Sequence, residues 1–259
     1  MEQHYAVCRV AVAPLRTEPS DKAEISSQLL FGDHVEILQK TERWWQVRNA
    51  YDDYEGWMDF KQLTELSQEQ FLASHGCKYL VPASPVNVVT DSKGDKYYLS
   101  PASTLPFYEN RHCYLGGAKY KVLFEPHHVT TPSPENIIKN ALFFLNVSYL
   151  WGGRNFFGLD CSGFVQIVFK LNGINLNRDA WQQAEQGVIV DFLQEVQPGD
   201  VAFFDNAEGR ITHVGIMLSP AEIIHSSGRV HIDPIDNQGI YNTELGRYTH
   251  KLRIIKRYS

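Results

Sequence analysis

The sequence predicts an α+β chain in which two small all-β segments precede a mixed helix-and-strand domain. Three observations carry this. Residues 5–66 hold short apolar runs spaced about ten residues apart by turns. Residues 134–259 place helical periodicity first and β-rich runs after it, which marks α+β rather than alternating βαβ units. Between them, EPHHVTTPS at 125–133 has prolines and no apolar period, so it reads as a linker.

The elements follow in order. YAVCRVAVAPLR opens with strand alternation, and LLFGDHVEIL sets a Gly-Asp turn between apolar runs. WWQVRN, the polar turn AYDDY and EGWM complete a small all-β barrel over residues 1–66. SQEQFLASH, residues 67–75, reads as a short helix. KYLVPASPVNVVTD, KYYLSPASTLPFYE and YKVLFE follow as β-rich runs, a second and degenerate barrel within 67–124. After the linker, Ile137, Ile138, Ala141, Leu142 and Leu145 repeat at helical spacing, with Ser133 as N-cap and Pro134 as the first helical residue. CSGFVQIVFKLNG is a second helix that starts at Cys161, carries Lys170 in its last turn and stops at Gly173. VAFFD (201–205), HVGIML (213–218), EIIHSS (222–227) and LRIIKR (252–257) are strands.

Composition narrows the class. Hydrophobic residues make 43% of the 259-residue chain and aromatic residues 12%, ample for a buried core and incompatible with disorder. The net charge of −6 argues against a nucleic-acid surface. Four cysteines lie scattered with no CxxC pair, which excludes zinc-ribbon and thioredoxin readings and favours free thiols. No apolar run is long enough for a transmembrane helix. Residues 1–20 show no charged-then-apolar leader, so the expected location is the cytoplasm; a processed, exported form is the alternative.

The chemistry concentrates in the second half. Cys161 opens a helix after the Gly-rich approach YLWGGRNFFGLD. There the helix dipole and free backbone N–H groups favour a thiolate, the attacking form of a nucleophilic cysteine. A buried helical cysteine serving as a small hydrophobe fits the position equally well. His213 opens one strand and His225 lies on the next. If residues 219–221 turn, His225 falls opposite Gly215 and diagonal to His213 on one face. One imidazole then serves as base and the other holds its far nitrogen, whereas a register slip of one residue would turn His225 away.

YLWGG, DCSGF, PGDVAFF, HVGIML and IIH occur in that order, and together they resemble the NlpC-type cell-wall cysteine peptidases, a papain-like family. The resemblance covers residues 134–259 and implies Cys161 as nucleophile, His213 as general base and His225 as the polar third member, with Tyr149 against the pair. Asp160 and Ser162 flank the nucleophile and are assigned to the substrate side. VAPLRTEPS, FGDHVEIL, WWQVR and GWM resemble the bacterial SH3-like domain. The order of domains, with NRDAWQQ at 177–183, resembles the dipeptidyl-peptidase VI group. That resemblance implies a γ-D-glutamyl-L-diamino acid endopeptidase acting on peptidoglycan stem peptides with a free N-terminal L-Ala, in murein peptide recycling. It places Glu18, Tyr54 and Asp179 at the substrate amine and sets Arg178 toward the D-Glu carboxylate. Read without the family, Glu18 is an exposed turn residue, Tyr54 a turn aromatic, and Arg178 with Asp179 a surface pair. The implied acyl transfer runs through a thiolate–imidazolium resting pair and needs no metal and no cofactor. A monomer is expected. The competing readings are an open-cleft lytic endopeptidase or amidase acting on intact wall, and a catalytically inactive wall-binding protein.

Overall fold

Alternating burial in the first 66 residues builds one sheet of seven strands. Their spatial order is Ile25–Leu30, Val12–Arg16, Glu55–Asp59, Trp44–Asn49, His34–Lys40, His4–Cys8 and Leu63–Leu66. This is seen in a computed structural model that describes residues 3–74, 76–129 and 131–258. The strand His4–Cys8 is buried on both faces. Ala6 and Cys8 join a core with Leu15, Trp45, Val47 and Met58, while Val7 points into another with Phe31, Val89, Leu105 and Val122. A period of two sends successive side chains to opposite faces, so one strand serves two cores.

The second core is covered by a four-stranded sheet in the order Lys96–Tyr98, Val88–Thr90, Ala118–Val122, His112–Leu115. The helix expected at 67–75 forms as Gln68–Ala73, and His75 lies outside the described residues. A capping box starts it: Ser67 Oγ accepts from the Gln70 N–H at 3.2 Å and Gln70 Oε1 accepts from the Ser67 N–H at 3.0 Å. The 125–133 stretch is more ordered than its composition suggests. His127 and His128 pair antiparallel with Leu80 and Tyr79, and His128 stacks edge-on against the Tyr79 ring at 5.0 Å. Thr130 lies outside the described residues.

The chain resolves into two compact units, residues 1–129 with 151–156 and residues 130–150 with 157–259. Within the first, the 151–156 segment is held by side chains of the strand Ile25–Leu30 and of Glu24 just before it. Trp151 Nε1 donates to Glu24 Oε1 at 2.6 Å, and the Arg154 N–H donates to Gln28 Oε1 at 2.8 Å. Gly152 has φ +73° and would bring a Cβ to 2.2 Å from the Ile25 carbonyl oxygen, so this close approach requires glycine.

The second unit begins with the helix Pro134–Phe143, where Ser133 Oγ accepts from the Asn136 N–H at 3.2 Å. A fully buried helix, Cys161–Leu171, then packs on a sheet. The sheet runs Val188–Val190, Arg247–Arg257, Val201–Asp205, Ile211–Ser219, Glu222–Ser227, Arg229–Asp236, Gly239–Asn242. Gly239–Asn242 pairs back onto Arg247–Arg257, which closes six of these strands into a barrel. Sequence periodicity marks four of the strands. Arg229–Asp236 is masked by its Pro234, which takes an alternate, outward place. Among the described residues no helix is long and apolar enough to cross a membrane. All four cysteines are free thiols.

Candidate active site

Two barrel strands and one helix start bring Cys161, His213 and His225 together. Gly215 pairs with His225 and Ile216 with Ile224, the register expected from the turn. Gly215 matters here because a Cβ on it would lie 2.8 Å from the His225 Cβ. Its bare backbone leaves His225 room to reach sideways, and His225 Nδ1 meets His213 Nε2 at 2.9 Å. Cys161, His213 and Tyr149 line one pocket of about 270 Å³ with Thr212, Ser226, Ser227, Gly228 and His250. Tyr149 is fixed at its rim by a backbone bond from its N–H to the Gly228 carbonyl at 2.9 Å.

The helix start is built by a buried ion pair. Asp160 caps the Cys161 helix, its Oδ1 accepting from the Gly163 N–H at 2.6 Å. The Arg178 guanidinium grips the same carboxylate with both terminal nitrogens and also donates to Ser162 Oγ at 2.9 Å. Arg178 and Asp160 side chains are only 1% and 8% exposed. Arg178 therefore does not form a surface pair with its neighbour Asp179, as the sequence alone allowed. Asp179 is the N-cap residue of the helix Ala180–Glu185, and its N–H donates to Gln182 Oε1 at 3.0 Å. On the first unit, Glu18 is exposed in a bend after Val12–Arg16, and Tyr54 packs its ring half-buried on the barrel core.

Asp233 completes a relay, with His231 beside it. Asp233 Oδ2 lies 3.3 Å from His225 Nε2 and 3.1 Å from His231 Nε2, and accepts from Asn242 Nδ2 at 3.0 Å. Burial raises the Asp233 carboxyl, but the hydrogen bond from His225 and the nearby histidines outweigh it and hold the group below its usual value. An ionised carboxylate can only accept, so His225 carries its hydrogen on Nε2. Its Nδ1 then accepts from His213 Nε2–H. The lone pair of His213 is left on Nδ1, which is then the nitrogen able to take a proton. His231 and Asp233 sit two apart on Arg229–Asp236, the spacing that shares one sheet face, and this H-x-D signal was readable in the sequence. His250 stacks on His213 at 4.0 Å and 25°, and it lies in the polar first half of Arg247–Arg257, where no periodicity points to it.

Burial acts against the charged forms of both members of the pair. Burial pushes the Cys161 thiol up to about 12, and neighbouring Asp160 adds to this; Arg178 and the Ser162 and Val214 backbone N–H groups act in the opposite sense. Burial, helped by His250 and His225, holds His213 well below its usual value. Burial thus works against the thiolate–imidazolium pair that the helix start alone suggests, on both the thiol and the imidazole. His225 is lowered by burial against the pull of Asp233, and burial lowers His250 to about 4. These histidines bind protons less readily folded than unfolded. Below the unfolded value of about 6.5 the unfolded chain gains protons that the fold refuses, and each histidine then removes stability at up to about 1.4 kcal/mol per pH unit. The depressed Asp233 carboxyl has the same sign at more acid pH, since its contribution is lost as it protonates. Melting temperature is therefore expected to fall steadily from about pH 7 to about pH 5. A flat profile in thermal melts would contradict the buried neutral cluster.

Comparison with known proteins places these features. The NlpC/P60 family profile matches residues 146–248, and the bacterial dipeptidyl-peptidase SH3 domain profile matches residues 15–63. A gamma-D-glutamyl-L-lysine dipeptidyl-peptidase of Bacillus subtilis is 32% identical over 78% of this chain and 72% of its own length. Dipeptidyl-peptidase 6 of Lysinibacillus sphaericus is 26% identical over 93% of this chain and 95% of its own. The fold matches the crystal structure of an NlpC/P60 family protein from Bacillus cereus with TM-score 0.81 at 23% identity, covering 98% of this chain and 99% of that one.

Proposed function

The chain belongs to the NlpC/P60 family of cysteine peptidases and carries a bacterial dipeptidyl-peptidase SH3 domain, and from that premise we propose that it cleaves the γ-D-glutamyl-L-diamino acid bond of peptidoglycan stem peptides bearing a free N-terminal L-Ala. The observation that carries the reading is the pocket that joins Cys161 to the His213–His225–Asp233 relay. His213 Nδ1 takes the Cys161 proton as Sγ attacks the γ-carbonyl of D-Glu, so the buried thiol need not be ionised beforehand. The Cys161 backbone N–H at the helix start meets the oxyanion. The protonated His213 then gives its proton to the leaving amine nitrogen. A water deprotonated by the same Nδ1 hydrolyses the thioester, releasing the dipeptide acid and restoring the thiol. Tyr149 lines the approach to the thiol. Asp160, Ser162 and Arg178 act by fixing the helix start.

A dipeptidyl cut measures from the chain's amine. Desolvating that ammonium costs free energy unless acceptors and negative charge meet it. Glu18, Tyr54 and Asp179 are the residues assigned to it. The setting proposed is recycling in the cytoplasm, where peptides already released from the wall present a free amine. Mass spectrometry of products from L-Ala-γ-D-Glu-L-Lys and its diaminopimelate counterpart tests the bond and the diamino acid together. N-acetylating the L-Ala removes a charge-assisted hydrogen bond worth roughly 1.5–3 kcal/mol, so kcat/KM is expected to fall about 10- to 150-fold. Equal cleavage of acetylated and free peptides would favour the open-cleft endopeptidase instead.

A further inference from the structure

We infer that His225, His231 and Asp233 form a site for a divalent transition metal, zinc by its ligand chemistry, and that its occupancy switches off the His213 base. The three ligand atoms all lie within 4.8 Å of one another. Asp233 Oδ2 stands 3.3 Å from His225 Nε2 and 3.1 Å from His231 Nε2. Two ligands of a tetrahedral ion with bonds of about 2.0 Å sit about 3.3 Å apart, so these separations are already those of a coordination edge. Two imidazoles and a carboxylate suit zinc, and three protein ligands leave a fourth position for water. The carboxylate is oriented from outside the triad, as metal ligands usually are: Asn242 Nδ2 holds Oδ2 at 3.0 Å, and the Thr243 backbone N–H reaches Oδ1 at 3.5 Å. The His231 side chain is 16% exposed against 1% and 3% for His225 and Asp233, which gives the ion an entrance from its side.

The switch follows from proton placement. Without metal, His225 has its hydrogen on Nε2, facing Asp233, and its Nδ1 accepts from His213. A metal on Nε2 excludes that hydrogen, and the neutral ring carries it on Nδ1 instead. Nδ1–H now points at His213 Nε2, 2.9 Å away, which must offer its lone pair. His213 then bears its own hydrogen on Nδ1, where the base should be. Each ring keeps one proton and only its position changes, yet the nitrogen that should accept the Cys161 proton can no longer do so.

The binding half of this inference stands apart from the enzymatic reading; the switching half rests on it. The test titrates zinc chloride into the full-length Cys161→Ala chain by calorimetry, so that no active-site thiol competes. One zinc per chain is expected. His231→Gln and Asp233→Asn, each made in that background, should weaken it by at least about tenfold. A stoichiometry well below one, or unchanged affinity in His231→Gln while the variant's melt shows a folded chain, overturns the site. In the second arm, zinc inhibition of peptide hydrolysis is measured for each chain against its own metal-free rate. The inhibition constant should rise at least about tenfold in His231→Gln, as the lost ligand requires. Equal inhibition of both chains would place the metal on Cys161 or His213 and overturn the switch. Zinc binding without a hydrolysable peptide would leave the site standing and sink the proposed reaction instead.

Discussion

Cys161→Ser is expected to retain less than about one part in 10³ of wild-type turnover, the scale on which loss of a nucleophile acts in acyl transfer. The oxygen is smaller, and its proton is held far more tightly than that of a thiol. Burial already drives the Cys161 thiol up to about 12, so attack relies on His213 removing the proton as the bond forms. A hydroxyl at this position asks the same imidazole for a harder transfer while its own basicity is suppressed by burial. His213→Ala should approach the same loss, and His225→Ala should be milder because an orienting group is partly replaced by water. Single-turnover assays on folded variants decide this. Activity of Cys161→Ser within tenfold of wild type would sink the nucleophile assignment, and an unchanged melt would show that the lost chemistry is not lost folding.

The parts legible in the sequence were those fixed by short-range pattern. The turn at 219–221 sets the register of two strands by counting, which places His225 beside His213. The Ser133-Pro134 helix start was equally local. The parts that stayed hidden depend on what lies across the fold. Arg178 stands next to Asp179 in sequence, but Asp179 caps the Ala180–Glu185 helix while Arg178 faces Asp160, 18 residues earlier. The helix start at Cys161 announced a lowered thiol, because the dipole is visible in sequence; burial, which outweighs it, is not. His231 and Asp233 carried a period-two signal that Pro234 obscured, and His250 carried none. The pairing of two barrel strands, Gly239–Asn242 with Arg247–Arg257, is what brings His250 onto His213.

Arg178→Met is expected to destabilise the second unit by roughly 3–5 kcal/mol, the cost of stranding one partner of a buried ion pair. The guanidinium is 1% exposed and the carboxylate it leaves behind is 8% exposed. That carboxylate would keep its bond from the Gly163 N–H but lose both guanidinium contacts, and Ser162 Oγ would lose its donor as well. Adding Asp160→Asn removes the unpaired charge. The double variant should therefore melt above the temperature that the two single losses would give by addition, because replacing both members of a buried pair costs less than breaking it. Catalysis should fall further than stability accounts for. Arg178 is one of the groups that pull the Cys161 thiol down, so its loss leaves Asp160 and burial opposed only by the Ser162 and Val214 backbone. Thermal melts of the four chains in the double-mutant cycle, with alkylation of Cys161 by a small haloacetamide at fixed pH, separate the two effects. A single Arg178→Met variant that melts within a degree or so of wild type would show that the pair carries no net stability. Slower alkylation in a fully folded Arg178→Met chain is the expected sign that the same guanidinium, by building the helix start, also sets the reactivity of the thiol at its tip.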